Sequence, residues 1–215
     1  EDVVLFSCRH ALHLAHNWQT ALNNIRIYGA GADQSYIGVY MAESTALYID
    51  NAVNANNVYV QQTSGYGFRI INGQGSKFVN CEAGGFPMIN GWYVGDPTTG
   101  SLPTEWTHFV NCLGDSVTGA CWLFRQGNAV RLQAVHMSNC WAGNGDYGMY
   151  FDGASNMTVS AAICIGNTKD GMFLNECNRM VATNCILRDN NEAALSTVAD
   201  IALQNTIFSL FQSNM

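Results

Sequence analysis

The sequence predicts an all-β fold, a solenoid of short parallel strands, on the strength of three observations. Pairs of buried-type residues separated by one position recur along the chain every 21 to 35 residues. Within each pair the spacing is that of a strand, because residues i and i+2 share one face of a strand. Gly and Asn interrupt the runs that could otherwise continue as helices. A repeat of this length indicates stacked units, each too small to bury its own apolar side.

The recurring pairs define eight strands of the predicted core. Each pair follows a small residue and encloses one residue that must point away from the core. The pairs are Leu12/Leu14, Leu47/Ile49, Phe68/Ile70, Trp92/Val94, Cys121/Leu123, Met149/Phe151, Met172/Leu174 and Leu195/Thr197. The enclosed residues form a predicted outward column of His13, Tyr48, Arg69, Tyr93, Trp122, Tyr150, Phe173 and Ser196. Most of this column is aromatic, and an exposed aromatic column is not needed for the core.

A second strand follows each pair and ends in a corner at which Asn precedes Cys. Asn tolerates the left-handed backbone that tight corners require. Residues that recur once per coil stack on one another, so we expect these cysteines to be buried, reduced thiols rather than disulfides. The corners are Asn80-Cys81, Asn111-Cys112, Asn139-Cys140 and Asn184-Cys185, and Cys164 is assigned to the same place in its coil.

The shortest repeats hold two or three strands with as many corners. No Leu-x-x-Leu-x-Leu frame and no Gly-Gly-x-Gly-x-Asp repeat is present, which excludes leucine-rich and calcium-binding solenoids. A parallel β-helix of about nine coils remains. We predict a single β-helix domain over residues 1–215, a fragment of a longer chain, with an inserted surface loop at residues 93–106.

The coil length, the Asn corner and the stacks of Cys and aromatic residues resemble the right-handed, single-stranded parallel β-helix of the pectin-lyase-like superfamily. The resemblance extends from about Leu12 to Phe208. Within this superfamily the chain is most similar to bacteriophage tailspike depolymerases. That similarity implies a homotrimer that binds and cleaves a bacterial capsular polysaccharide or lipopolysaccharide. It also implies folding in the bacterial cytoplasm and a place in the virion tail, or an extracellular protein if the chain is not from a phage.

Composition excludes several other partners. Only 12% of residues are charged and the net charge is −7 without a basic cluster, which disfavours nucleic acid. No run approaches the ~20 apolar residues of a membrane span. His10, His13 and His16 repeat at a spacing of three, but alternation along a strand would place His13 opposite the other two. We therefore expect no metal and no cofactor.

Acidic residues lie just beyond the Asn-Cys corner, one per coil: Glu82, Asp115, Asp146, Asp170 and Asp189. Equivalent positions in successive coils are ~5 Å apart. Glycosidases hold two carboxyl groups ~5–5.5 Å apart in retaining enzymes and ~6.5–9.5 Å apart in inverting ones. We therefore predict glycoside hydrolysis by two members of a set that combines the acids nearest the loop with those on it: Glu82, Asp96, Glu105, Asp115 and Asp146.

Aromatic rings pack against the apolar faces of sugars, and Arg residues can pair with acidic sugars. The predicted sugar contacts are Trp92, Tyr93, Trp106, Trp122, Tyr150, Arg125 and Arg131. Three alternatives stay open. A polysaccharide lyase would use His108, His136 or Tyr147 as its base. A non-catalytic rod would bind glycan through the aromatic column alone, and a structural trimer would bury that column between subunits.

Overall fold

The computed structural model describes residues 3–6, 9–15, 19–29, 36–41, 50–71, 73–95, 104–126, 132–190, 200–206 and 210–212. Within these ranges all regular secondary structure is β-strand. The strands are β1 (Val3–Phe6), β2 (His10–Leu14), β3 (Ala21–Tyr28), β4 (Ile37–Met41), β5 (Asp50–Asn51), β6 (Asn54–Gln61), β7 (Tyr66–Ile70), β8 (Gly73–Gln74), β9 (Lys77–Val79), β10 (Glu82–Gly84), β11 (Asn90–Val94), β12 (His108–Val110), β13 (Leu113–Asp115), β14 (Ala120–Arg125), β15 (His136–Ser138), β16 (Trp141–Gly143), β17 (Tyr147–Asp152), β18 (Thr158–Ser160), β19 (Ile163–Ile165), β20 (Met172–Asn175), β21 (Val181–Thr183), β22 (Ile186–Arg188), β23 (Ile201–Gln204) and β24 (Leu210–Gln212).

The strands stack in parallel, each pairing with its counterpart one coil away. One sheet of eight strands has the order β2-β4-β7-β11-β14-β17-β20-β23. The other large sheet contains two runs that diverge from the long strand β6: β6-β10-β13-β16-β19-β22 and β6-β9-β12-β15-β18-β21-β24. Three walls therefore surround one core, which confirms the predicted all-β parallel β-helix. The described residues form about six complete turns, fewer than the predicted nine.

Aromatic stacking dominates the centre of the core. Trp92 stacks on Phe68 at 3.9 Å and on Trp122 at 4.6 Å between ring centroids, with planes 3° from parallel in both pairs. Both indoles are fully buried. Each still donates a hydrogen bond from Nε1, Trp92 to the carbonyl of Leu113 and Trp122 to that of Trp141, both at 2.9 Å. The buried polar edge of each ring is thus satisfied.

The Asn-Cys corners adopt the predicted left-handed backbone, with φ of 51° at Asn80, 52° at Asn111 and 52° at Asn139. The cysteines beside them are buried and free, and thiols of later coils approach carbonyls of earlier ones, as Cys112 Sγ does to Phe78 at 3.4 Å. Cys164 does not occupy the corner predicted for it. It lies inside β19, and Ala161-Ala162 forms the corner at its level.

Of the eight predicted pairs, two lie outside the described residues and one differs from the structure. Leu47/Ile49 and Leu195/Thr197 lie outside the described residues, and β4 and β23 hold the corresponding levels of the eight-stranded sheet. The pair Cys121/Leu123 is wrong by one position, because the fully buried Trp122 and Phe124 align with Trp92 and Val94. Leu123 is only half-buried, and Cys121 is buried as well. The outward column is therefore His13, Tyr40, Arg69, Tyr93, Leu123, Tyr150, Phe173 and Ala202.

Two further predictions concern the chain outside the core. The inserted loop predicted at 93–106 begins inside β11, which continues to Val94, and residues 96–103 lie outside the described ranges. The part of the chain that the structure describes contains no helix with the length and hydropathy of a membrane span.

Candidate functional site: a carboxylate pocket and an aromatic face

Two of the predicted catalytic acids share one surface pocket. Glu82 lies on β10 and Asp115 on β13, in adjacent coils, and both line a cavity of about 240 Å³. The remaining lining residues are Gln61, Gln62, Gly84, Gly85 and Ser116. Gly84 pairs with Asp115, and a Cβ on Gly84 would lie 2.5 Å from the Asp115 carbonyl oxygen. Only glycine fits there, so the pocket keeps a floor of bare backbone between the two acids.

Each carboxylate in the pocket is held by a neutral amide from a neighbouring coil. Gln61 Nε2 donates to Glu82 Oε1 at 3.3 Å, and Asn144 Nδ2 donates to Asp115 Oδ1 at 2.8 Å. Within the described ranges neither acid forms an ion pair with Lys or Arg. Amide donors fix the orientation of a carboxylate without neutralising its charge, so both groups keep free oxygen lone pairs for a ligand.

The remaining predicted acids do not join this pocket. Asp146 lies in the turn before β17, where its Oδ2 pairs with Lys169 Nζ at 2.7 Å and its Oδ1 accepts a bond from Thr168 at 2.9 Å. Glu105 lies at the corner before β12, where its Oε1 accepts a bond from Gln133 Nε2 at 3.1 Å. Asp96 falls outside the described residues.

The predicted ladder of one acid per coil is also wrong in register. Glu82 aligns with Leu113, whereas Asp115 aligns with Gly84 and Gly143. Glu82 and Asp115 are therefore diagonal neighbours rather than directly stacked ones. Of the other two acids in the ladder, Asp170 is buried and Asp189 is exposed.

The predicted sugar contacts divide between the core and the surface. Trp92 and Trp122 cannot contact a sugar from outside, because both are fully buried in the core stack. Tyr93 and Tyr150 lie in the outward column, but Tyr93 is only 8% exposed there. Trp106 is 59% exposed at the corner before β12. Arg125 pairs with Asp152 at 3.0 Å. Arg131 lies outside the described residues.

An aromatic face wider than the predicted outward column covers β2, β4, β7 and β11. Tyr40 replaces the predicted Tyr48 in the outward column, and Tyr36 and Tyr66 add two rings whose centroids are 5.8 Å apart. The sequence contains a signal for Tyr40, because Gly38 stands two positions before it. Gly67 and Gly91 stand two positions before Arg69 and Tyr93 in the same way. A Cβ on Gly38 would lie 2.2 Å from Val60 Cγ1, so a larger residue does not fit at this position of the strand.

The candidate bases for a lyase lie elsewhere on the surface. His108 and His136 stack at 5.0 Å between ring centroids on the outward face of β12 and β15, and Lys77 aligns with His108 on β9. Burial, followed by the charges of His136 and Lys77, lowers the pKa of His108. Tyr147 contacts the Lys169 ammonium, which lies 5.0 Å from its ring centroid.

His10 and His13 do not face opposite sides as predicted. Their ring centroids are 5.8 Å apart, and both rings stack on Tyr40 at 5.0 Å. His16 lies outside the described residues. Among the residues that the structure describes, no group of three or more His, Cys, Asp or Glu side chains could hold a metal ion.

Comparison with known proteins agrees with this architecture. Solved structures with a similar fold include the A-module of a mannuronan C-5 epimerase, AlgE6, from Azotobacter vinelandii, with a TM-score of 0.72, 15% identity, and coverage of 95% of this chain and 63% of that chain. Tailspike protein 2 of bacteriophage CBA120 gives a TM-score of 0.66 and 12% identity over 98% of this chain and 35% of that chain. Pectate lyase Pel9A gives 0.53 and 12% over 95% and 56%.

At these identities the likeness establishes the fold alone, and the chain spans less than two thirds of the length of each of these proteins. No curated protein sequence matches the chain. A family model described as a right-handed β-helix region matches residues 10–211, which is nearly the whole sequence. The chain therefore belongs to the right-handed β-helix family.

Proposed function

We propose that this protein binds an extended bacterial polysaccharide on its outer surface and hydrolyses it with Glu82 and Asp115. The observation that carries the proposal is the shared pocket, in which adjacent coils present two carboxylates that have no ion pair in the described structure. In this mechanism one carboxyl group protonates the leaving glycosidic oxygen. The other activates a water molecule or attacks the sugar carbon.

The fold and the surface chemistry support a polysaccharide rather than a small substrate. The β-helix presents continuous parallel walls, and the pocket is an open depression of about 240 Å³ rather than an enclosed cavity. Structurally similar proteins include enzymes whose names give mannuronan or pectate as their substrate, together with tailspike proteins. A capsular polysaccharide or lipopolysaccharide as the ligand, a homotrimer and a virion-tail or extracellular location are parts of this proposal.

The direct test is product release from a panel of capsular polysaccharides and lipopolysaccharides. We expect new reducing ends without the ultraviolet absorbance of unsaturated uronates. Glu82→Gln and Asp115→Asn should each lower the rate at least about 100-fold, because each removes a proton-transfer or nucleophilic group while keeping its shape. Asp189→Asn is the matched control, since Asp189 is an exposed acid in a distant coil. Unchanged cleavage in both pocket variants would contradict the assignment.

A lyase is the second candidate, and the histidine stack favours it. The lowered pKa of His108 keeps its imidazole neutral at neutral pH, as a base for proton abstraction requires, and Lys77 lies beside it. Cleavage that produces unsaturated uronate and is lost in His108→Gln, but not in Glu82→Gln, would move the active site to β12. Glycan binding without any product would identify a non-catalytic rod.

A further inference from the structure

Arg69 lies at the centre of the aromatic face. Its guanidinium carbon is 5.5 Å from the ring centroid of Tyr40, 5.4 Å from that of Tyr66 and 5.6 Å from that of Tyr93. Tyr40 and Tyr93 flank Arg69 in the outward column, one strand away on each side. Three rings therefore surround one cation, within the distance at which cation–π attraction operates. The arrangement holds the guanidinium in place before any ligand arrives.

The hydrogen-bonding capacity of this cluster is not used up. Arg69 Nε is buried and has no hydrogen-bond partner among the described residues, and the same holds for His10 Nδ1. A buried donor without a partner costs about 1–3 kcal/mol. Aromatic faces satisfy the charge of an arginine but do not accept its in-plane N–H bonds in the way that a carboxylate does.

Among the described residues of the strands around Arg69, the charge is positive. The four strands β2, β4, β7 and β11 contain no Asp or Glu. Arg9 is exposed beside β2, and His10 and His13 stack on Tyr40. Burial, followed by the charges of His13, Arg9 and Arg69, lowers the pKa of His10. On a chain whose net charge is −7, these strands form a local cationic surface, which attracts an anion.

We propose that the face formed by Tyr40, Tyr66, Arg69 and Tyr93 is a binding site for a carboxylate-bearing sugar, such as a uronate unit of a polysaccharide. The carboxylate accepts hydrogen bonds from the Arg69 guanidinium, and the apolar faces of the sugar rings pack on the half-buried Tyr40 and Tyr66, while the buried Tyr93 supports Arg69 from the other side. The exposed His13 and the half-buried Arg69 are two strand spacings apart, roughly 10 Å, so the site accepts an extended oligosaccharide rather than a single sugar. A neutral glycan would leave the guanidinium unpaired.

This site is distinct from the Glu82 and Asp115 pocket. Arg69 belongs to the eight-stranded sheet, whereas Glu82 and Asp115 belong to the other large sheet. Binding at Arg69 consequently does not require cleavage at the pocket. Titrations in the Glu82→Gln/Asp115→Asn double variant measure binding alone, so a failed cleavage assay leaves this proposal intact and a failed titration leaves the hydrolase proposal intact.

The test is calorimetric titration with hexasaccharides of galacturonate, glucuronate and mannuronate, each beside its carboxyl-reduced, neutral counterpart. We expect at least one uronate hexamer to bind at least about tenfold more tightly than its neutral counterpart, a difference of ~1.4 kcal/mol. Arg69→Gln should remove that preference. Arg188→Gln is the control, because Arg188 is an arginine whose side chain is 67% exposed in a distant coil.

Arg69→Lys guards against a folding defect in Arg69→Gln, since it keeps the charge and the apolar stem. We expect it to fold with the wild-type urea midpoint and to bind several-fold more weakly, because an ammonium cannot form the forked pair of hydrogen bonds. Equal binding of uronate and neutral hexamers overturns the proposal. So does wild-type affinity in Arg69→Gln, or the absence of binding by all three uronates.

Discussion

Shortening Trp122 to alanine is expected to destabilise the coil stack without acting through any surface site. The indole is fully buried, stacks on Trp92 at 4.6 Å and meets Phe109 edge-on at 5.3 Å. Its Nε1 donates to the carbonyl of Trp141 at 2.9 Å. The substitution therefore removes an aromatic ring from a closely packed stack and one buried hydrogen bond at the same time.

The size of the effect follows from these two losses. Truncating a buried Trp to Ala costs about 3–5 kcal/mol, which includes the cavity that is left behind. Leaving the Trp141 carbonyl without its partner adds about 1 kcal/mol. We expect a decrease of ~4–6 kcal/mol in the free energy of unfolding for Trp122→Ala. Trp122→Phe keeps a ring in the stack and loses the hydrogen bond, so it should cost about 1–3 kcal/mol.

Urea unfolding followed by far-ultraviolet circular dichroism measures both values. Trp106→Ala provides the control, because Trp106 is 59% exposed and its loss should change stability by no more than about 0.5 kcal/mol. If Trp122→Ala unfolds at the wild-type urea midpoint, the side chain does not lie in the core. The outward position that strict alternation gives it in the sequence would then be right.

Three other predictions concern thiols, histidine and backbone strain. Burial raises the pKa of Cys140 to about 11 and also raises that of Cys112, whereas the hydrogen bond with Cys112 lowers the pKa of Cys81. Because all seven described thiols are buried, we expect them to react with a thiol reagent only after unfolding. Prompt labelling of more than one thiol in the native protein would contradict this. Because the pKa of His108 is lowered in the folded state, the unfolded state binds more protons below about pH 6.5, and the free energy of unfolding should decrease as the pH falls from about 7 to about 5. The urea midpoint of His108→Gln should decrease less over this range. An unchanged pH dependence in the variant would contradict the prediction. Ala161 has φ of 50° in a corner where other coils have Asn, which tolerates this left-handed backbone better than Ala does. Ala161→Asn should therefore raise the free energy of unfolding by about 1 kcal/mol. The same change at Ala154, a buried core residue, should lower it.

The repeat could be predicted from the sequence because its signals are local. An Asn with positive φ and a small buried Cys are dictated within one corner, and both recur at Asn80, Asn111 and Asn139. The frame of β14 could not be fixed in this way. Cys121, Trp122, Leu123 and Phe124 are four consecutive apolar residues, so two alternating frames fit equally well. Stacking of Trp122 on Trp92, a contact between coils, decides between them.

The register of the acids was predictable in principle but needed a different count. Glu82 is the first residue after Cys81, Asp115 is the third after Cys112, and Asp146 is the sixth after Cys140. Counting from the corner therefore separates the three acids, as the strand pairing does. What the count does not show is that the two-residue offset leaves Glu82 and Asp115 in one pocket. That depends on Gly84, which fills the place between them with backbone alone.

The two proposed sites meet at one corner of the coil, and this bears on how a polymer would lie. Gln61 ends β6 and lines the carboxylate pocket, and Tyr66 begins β7 and contacts Arg69. Only residues 62–65 separate them. Phe86 and Ile89, 72% and 42% exposed, occupy the same corner one coil further on. An anionic chain that crosses this corner would contact Arg69 while its next units reach Glu82 and Asp115. Because the carboxylates repel an anion and Arg69 attracts one, the cationic face supplies the affinity that a pocket of two acids cannot provide for such a substrate.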